Sequence, residues 1–336
     1  MDAKVKDILN DALDKFPNDY HINCGGPALN IARSAQAMVH TPRSLIFLGE
    51  KALDDMSIQL VHVFKESHLG FQLEENHKSK TNVMVILYCK DKWCELYFVD
   101  ANSSFSTSFV DRPSISKLLS RSNILILSDL SILMTPKAAQ KFSYYCSASF
   151  KVLAVNLSNV DILTRAKLNV CDILNCADIL FLNKRSAKAL MQIFNISCVS
   201  TLRQTSHIAA WIKSLSKKQC TVVVFNGNVV YVTDSNVTSK HKTPFKKKHP
   251  IVDHYGVHCA FVGGFIAGIG QGCPLDICID SGFYCADIVT GQFGLTFPSN
   301  MGDLLSLWKL HMEQYLAKKA SLNNGEISTP FKKLST

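Results

Sequence analysis

Apolar positions in this chain follow two rhythms. Over residues 1–17 they recur every three or four positions, at Val5, Ile8, Leu9, Ala12, Leu13 and Phe16, which predicts a helix with one apolar face. The same spacing returns over 28–39, with Ile31, Ala32, Ala35, Met38 and Val39 inward, and over 56–68. Between them SLIFLG, residues 44–49, is an unbroken apolar run that predicts a short buried strand. Residues 82–88 and 95–99 read as two strands joined by the polar KDKW segment, most simply a hairpin.

From Asn123 onward apolar runs alternate with helical spacing. NILILS (123–128), residues 152–156, DILFL (178–182) and TVVVF (221–225) read as strands. Residues 229–233 pair with the last across Asn226-Gly227, a strong hairpin signal. Helices are predicted over 136–145, 186–194, 208–215, 260–270 and 274–290, with Pro136 well placed in a first turn. Strands apolar on both faces, separated by helices, predict an α/β fold: a mainly parallel sheet with helices on both faces. No repeat or linker interrupts it. The expected organisation is one α/β domain over 1–300, a small β lid near 82–99, and a C-terminal helix and basic tail over 301–336.

Composition narrows the class. The chain has 336 residues, 47% hydrophobic and 19% charged, enough for a large core and against disorder. No run of about 18 apolar residues predicts a membrane span, and the charged amphipathic start does not read as a signal peptide. Twelve cysteines are scattered through apolar segments without C-x-x-C pairs, which reads as buried thiols in a reducing compartment, the cytoplasm and also the nucleus. The formal charge of +9 gathers in KHKTPFKKKH (240–249) and in a tail with Lys318, Lys319, Lys332 and Lys333. These read as a solvated surface loop and tail. The loop, or a sheet edge, is where a protein partner would bind. The absence of interleaved aromatics argues against nucleic acid.

Candidate chemistry centres on VDHYGVHCAFVGGF, residues 252–265. Asp253 can cap, Gly256 can adopt angles closed to other residues, and Ala260, Gly263, Gly264 and Ala267 keep one helix face thin for close packing. Such a helix start presents free N–H groups and the positive dipole end, a site for phosphate. Other candidates sit at strand ends or turns: Gly25-Gly26 with Asn30, Gly49 with Asp54, Asn156-Leu157-Ser158, Asn183 with Ser186, and Asn226-Gly227.

In register, residues 253–265 resemble D-T-N-G-A-G-D-A-F-V-G-G-F, the signature of the ribokinase (pfkB) superfamily and within it the adenosine kinases. Gly25, Gly26 and Asn30 resemble its G-G-x-x-x-N. Asn183 to Ser186 resemble its N-x-x-E, and Gly227 its T-x-G. PLDICIDSGFYCADIV with GLTFP resembles the adenosine kinase ending. The resemblance implies ATP- and Mg²⁺-dependent phosphorylation of adenosine to AMP, in purine salvage. It implies that Gly25, Gly26 and Asn30 meet the nucleoside, and that Asn183, Gly227, Asp253, Gly256 and His258 face nucleotide and phosphate. Three positions depart. Cys259 stands at the catalytic aspartate, His258 at the second glycine of the anion hole, and Ser186 at the glutamate that organises magnesium, so no metal ligand is certain. The family also opens with a strand whose aspartate grips the ribose, and nothing in residues 1–24 reads as that strand. Three readings stay open. One is a degenerate kinase that still binds nucleoside or nucleotide. Another is an active kinase using Cys259 or His258 as base. The third is a non-catalytic scaffold for a protein partner.

Overall fold

The alternation after residue 123 builds the sheet. The computed structural model describes residues 11, 14–15, 20–39, 41–89, 92–98, 106–197, 201–216, 218–245, 250–298 and 301–322. In chain order the first half runs α1 (Pro27–Ala37), β1 (Ile46–Lys51), α2 (Asp55–Glu66), β2 (Gly70–Glu75), β3 (Val83–Cys89) and β4 (Lys92–Phe98). Then come α3 (Thr107–Val110), α4 (Pro113–Arg121), β5 (Ile124–Ser128), α5 (Asp129–Met134), α6 (Pro136–Ala148) and β6 (Val152–Leu157). The middle continues with α7 (Val160–Arg165), α8 (Lys167–Leu174), β7 (Ile179–Asn183), α9 (Lys184–Ile193) and α10 (Thr201–Ser216). The remainder is β8 (Thr221–Asn226), β9 (Val229–Asp234), β10 (Val237–Lys242), α11 (Val257–Gly270), α12 (Leu275–Thr290) and α13 (Met301–Leu322).

The main sheet has six strands in the order β10-β9-β8-β7-β6-β5. β5 to β8 are parallel, and β9 and β10 are antiparallel additions. β6 is buried at all six positions, which is why its sequence is apolar except for Asn156. One core cluster, with Phe142, Leu157, Leu163, Ile173 and Leu190, fills one face. The other, with Ile31, Phe181, Phe225, Phe261, Phe265 and Trp308, lies beneath α1, α11 and α12. α13 joins this second core through Leu305 and Trp308.

β1 and β2 form a separate parallel pair, and β3 and β4 a separate antiparallel hairpin over the predicted lid. α1 packs against both β1 and β5, so the two sheets share one cover. Among the described residues no strand precedes β1. The helix predicted over 1–17 lies outside the described residues except at 11, 14 and 15, which are helical, with Lys15 Nζ 2.8 Å from Asp11.

The basic loop expected at 240–249 is corrected at its start. Lys240, His241 and Lys242 belong to β10, which returns from β9 through Ser235 and Asn236, both at positive φ (48° and 72°). That is the backbone of a tight hairpin turn, and lysines on an edge strand discourage pairing with other chains. Residues 246–249 and the tail beyond 322 lie outside the described residues. No described helix is long and apolar enough to cross a membrane.

Candidate functional site

Two helix N-termini are brought side by side by small residues. A Cβ built on Gly263 of α11 would fall 2.4 Å from Ser34 Cβ and 2.7 Å from the Ile31 carbonyl of α1. Only glycine allows this approach. Eight residues on, Gln271 Nε2 donates to the Met38 carbonyl, 3.1 Å away. The two helices therefore run in the same direction, and their first turns open at the same end. That end carries Gly25, Gly26 and Asn30 on one helix and Gly256, His258 and Cys259 on the other.

The turn into α11 is held from two sides. Asp253 is 5% exposed, and its Oδ1 accepts from the Tyr255 N–H at 2.8 Å. Its Oδ2 accepts from the Gly294 N–H at 2.9 Å. Gly256 then takes φ 79°, a left-handed angle that turns the chain into the helix. The approach to α1 crosses this same loop: the His21 ring lies 4.9 Å from that of Phe293. Tyr255 Oη reaches Met84 Sδ of the hairpin at 3.6 Å. Asp54 caps α2 and accepts from the Thr81 N–H and hydroxyl at 2.8 and 2.7 Å, fixing the base of the hairpin.

Beneath α11 the C-terminal ends of β5 to β7 supply a directed chain of hydrogen bonds. It starts at Asp129, fully buried at the end of β5. Asp129 Oδ2 accepts from the backbone N–H of Ser158 (3.0 Å) and Asn159 (2.8 Å), and from the Ser158 hydroxyl (3.2 Å). Burial pushes this carboxyl up, against the lowering by those N–H groups. With its proton given to Asp129, Ser158 Oγ accepts from Asn156 Nδ2 at 3.4 Å. The side-chain oxygen of Asn156, Oδ1, therefore faces His258 and accepts a hydrogen bond from its Nε2–H at 2.8 Å. The relay assigns the tautomer: Nε2 carries hydrogen and Nδ1 is a bare acceptor. Nδ1 is shut off from water and has no hydrogen-bond partner. Burial lowers the His258 pKa from 6.5 to about 4, so the ring is neutral near pH 7. The ring as a whole is half-buried, and that of Phe225 lies 6.0 Å from it.

The other candidates divide. Asn183 joins the cluster through Nδ2, which donates to the Ser158 carbonyl at 2.8 Å. Ser186 is fully buried and closes a capping box with Asn183, its hydroxyl 3.0 Å from the Asn183 N–H. That hydroxyl is neutral and engaged, a poor anchor for a hard cation. Among the described residues no group of three or more His, Cys, Asp or Glu side chains is placed to hold a metal ion. Cys259 is 8% exposed at the third residue of α11. Asn30 is 2% exposed, and its Oδ1 is buried without a partner. Gly227 sits in the β8–β9 turn at φ 62°, where an added Cβ would meet nothing within 4 Å. Asp129 and Tyr255 were missed by motif reasoning. An acidic residue directly after the apolar run ILILS is the signal that marks Asp129.

Two surface hollows, of about 380 and 340 Å³, lie around Ile58 and His62 of α2. They hold none of the residues that converge at the helix starts. The site is placed by the convergence of polar groups and not by these hollows.

The pattern of the pfkB family carbohydrate kinases matches residues 3–301. Adenosine kinase of Saccharomyces cerevisiae is 24% identical over 303 residues, 89% of this chain and 87% of the relative. Adenosine kinase 2 of Arabidopsis thaliana is 21% identical over 296 residues, 87% of this chain and 84% of the relative. Among solved structures, Anopheles gambiae adenosine kinase in complex with P1,P4-di(adenosine-5) tetraphosphate superposes with a TM-score of 0.81 at 22% identity, covering 89% of each chain. Adenosine kinase of Schistosoma mansoni with 2-fluoroadenosine gives 0.80 at 17% identity, over 90% of this chain and 89% of that one. The fold is therefore ribokinase-like, and the chain belongs to the pfkB carbohydrate kinase family.

Proposed function

We propose that this chain is an adenosine-kinase-like protein that binds a nucleoside and whose phosphoryl transfer is weak or lost. One observation carries the reading. At the start of α11, where the family places a backbone-only turn and a carboxylate, a histidine ring is tied to Asn156 at 2.8 Å and a cysteine follows it. A positioned general base contributes about 10²–10⁴ in rate, and one lost anion-stabilising donor costs about 10²–10³. His258 does not replace the base. Its pKa of about 4 makes it a weak proton acceptor, and its Nε2 is already committed.

ATP and Mg²⁺ are implied by the resemblance, and the residues present do not fit them well. Ser186 offers no anionic oxygen for the metal, and a histidine stands where the resemblance puts the second glycine of the anion hole. What remains supports ligand binding: two helix starts at one end of the fold, the buried Asn30 amide, and a hairpin that reaches the turn through Met84. A coupled assay for AMP formation tests the catalytic half, with turnover far below roughly 1 s⁻¹ expected. Adenosine-dependent thermal stabilisation tests the binding half. Its absence would favour the scaffold reading.

A further inference from the structure

We propose that the helix predicted over residues 1–17 seats on the outer face of α2, its two apolar rows straddling the ridge formed by Ile58 and His62. The inference stands apart from the nucleoside reading and uses none of its residues.

α2 carries apolar side chains on two faces. Leu60 and Phe64 pack inward, and Phe64 is fully buried in a small core with Leu29 and Leu69. Ile58 stands on the other side, 69% exposed. Ile58 and His62 are one helical turn apart and form a ridge along the helix. A hollow of about 380 Å³ lies on one side of it, lined also by Ile22 and Val63. Another of about 340 Å³ lies on the other side, lined also by Val61 and Lys65. A ridge between two hollows is the shape that a facing helix fills: rows of side chains spaced four apart drop into the hollows, and the ridge enters the groove between the rows. Residues 1–17 supply that shape. Val5, Leu9 and Leu13 make one row, and Ile8, Ala12 and Phe16 the next. The described residues of this segment, Asp11, Asp14 and Lys15, lie outside those rows and are all exposed.

The occupant is fixed by its connection. Pro17 ends the helical pattern, and residues 17–21 join Phe16 to Ile22, a span of at most about 20 Å. Ile22 itself lines the first hollow and is 59% exposed. The chain therefore arrives at the groove along the groove's own wall. A helix over residues 1–16 is about 24 Å long and α2 about 18 Å, so the two match along most of their length. A segment tethered this closely meets the groove at an effective concentration on the order of millimolar. Seated there, it takes Ile22 and Ile58 out of water. It also bears on α2, whose Asp54 cap holds the base of the hairpin at Thr81.

Hydrogen exchange read by mass spectrometry on the full chain tests this. Residues 5–16 are expected to exchange roughly tenfold or more slowly than in a synthetic peptide of residues 1–17. Leu9→Asp on the helix and Ile58→Asp at its exposed position are each expected to return the rate to that of the peptide. Phe150→Asp, at an apolar side chain 83% exposed elsewhere on the surface, is expected to change nothing. Melting curves check that each variant folds, and Ile22→Asp on the wall of the first hollow repeats the test should Ile58→Asp not fold. A segment that exchanges like the peptide in the unmodified protein overturns the proposal. So does protection lost in Leu9→Asp and kept in both groove variants, which places the helix on another surface. Protection that fades on dilution assigns the groove to the helix of a second copy and overturns it as well.

Discussion

Cys259→Asp is the most direct perturbation, and the structure says it will disappoint alone. A restored general base is worth about 10²–10⁴, or about 3–5 kcal/mol. The new carboxylate would sit at a position 8% exposed, where desolvation costs several kcal/mol. The helix N-terminus returns only about 0.3–2 kcal/mol. His258, held by Asn156, would still stand where the family has glycine. The single variant is therefore expected to gain tenfold at most. Cys259→Asp with His258→Gly removes the ring and exposes the backbone N–H groups, worth a further factor of about 10²–10³. The pair is expected to make AMP about 10²–10⁴ faster than the unmodified protein, with magnesium still poorly held. The assay is AMP formation from adenosine and ATP in a coupled system, on protein whose melting curve is intact. If the single variant already matches the pair, the ring does not obstruct the turn. If a folded pair gains nothing, the loss lies elsewhere and the account of these two positions is wrong.

Other outcomes follow from the same geometry. Asn156→Ala strips the acceptor from His258 Nε2 and is expected to cost about 1–3 kcal/mol in urea unfolding; no loss would show that the relay carries no strain when broken. Gly264→Ala places a Cβ 2.4 Å from the Ser281 carbonyl and 2.8 Å from Cys285 Cβ, with an expected cost of about 1–3 kcal/mol from overpacking. For pH, two shifts oppose each other. His258, depressed by burial to about 4, contributes stability present above pH 6.5 and lost as pH falls through 4. Asp280, raised by burial and by Asp276 to about 6, contributes stability present below pH 3.8 and lost as pH rises through 6. Each shift is worth up to about 3 kcal/mol. Relative to the unmodified protein, His258→Phe is therefore expected to gain stability on acidification from pH 6.5 to 4, and Asp280→Asn to lose it. Parallel curves for all three would contradict both assignments.

The sheet was legible where strands are buried on both faces. NILILS, DILFL and TVVVF each appear within one or two residues of β5, β7 and β8. β2 was not, because FQLEE alternates weakly and its pairing with β1 is a tertiary fact. β10 was hidden by charge: three of its six residues are Lys or His, and on this edge strand Lys240 and Lys242 face solvent while His241 is half-buried. The short helices α7 and α8 are too brief to impose a period. At the site, the order of glycines and small residues announced two close-packed helix starts. The relay was not readable, since Asp129, Asn156 and His258 are distant in sequence and meet only when β5, β6 and α11 align.

The glycine seams around α11 also decide how this molecule can move. With the Gly263 face against Ser34 and Ile31, and the Gly264 face against Ser281, the helix has backbone within contact on two sides. Sliding past either neighbour would drive whole side chains through spaces that do not hold a single methyl group. Shear is thus closed to the helix layer, and the two helix starts behave as one rigid jaw. Among the described residues the β3–β4 hairpin pairs with neither sheet, and it touches the jaw through Met84 and Tyr255. Motion is therefore left to the hairpin, and hydrogen exchange should show a fast hairpin beside a slow α1–α11 pair.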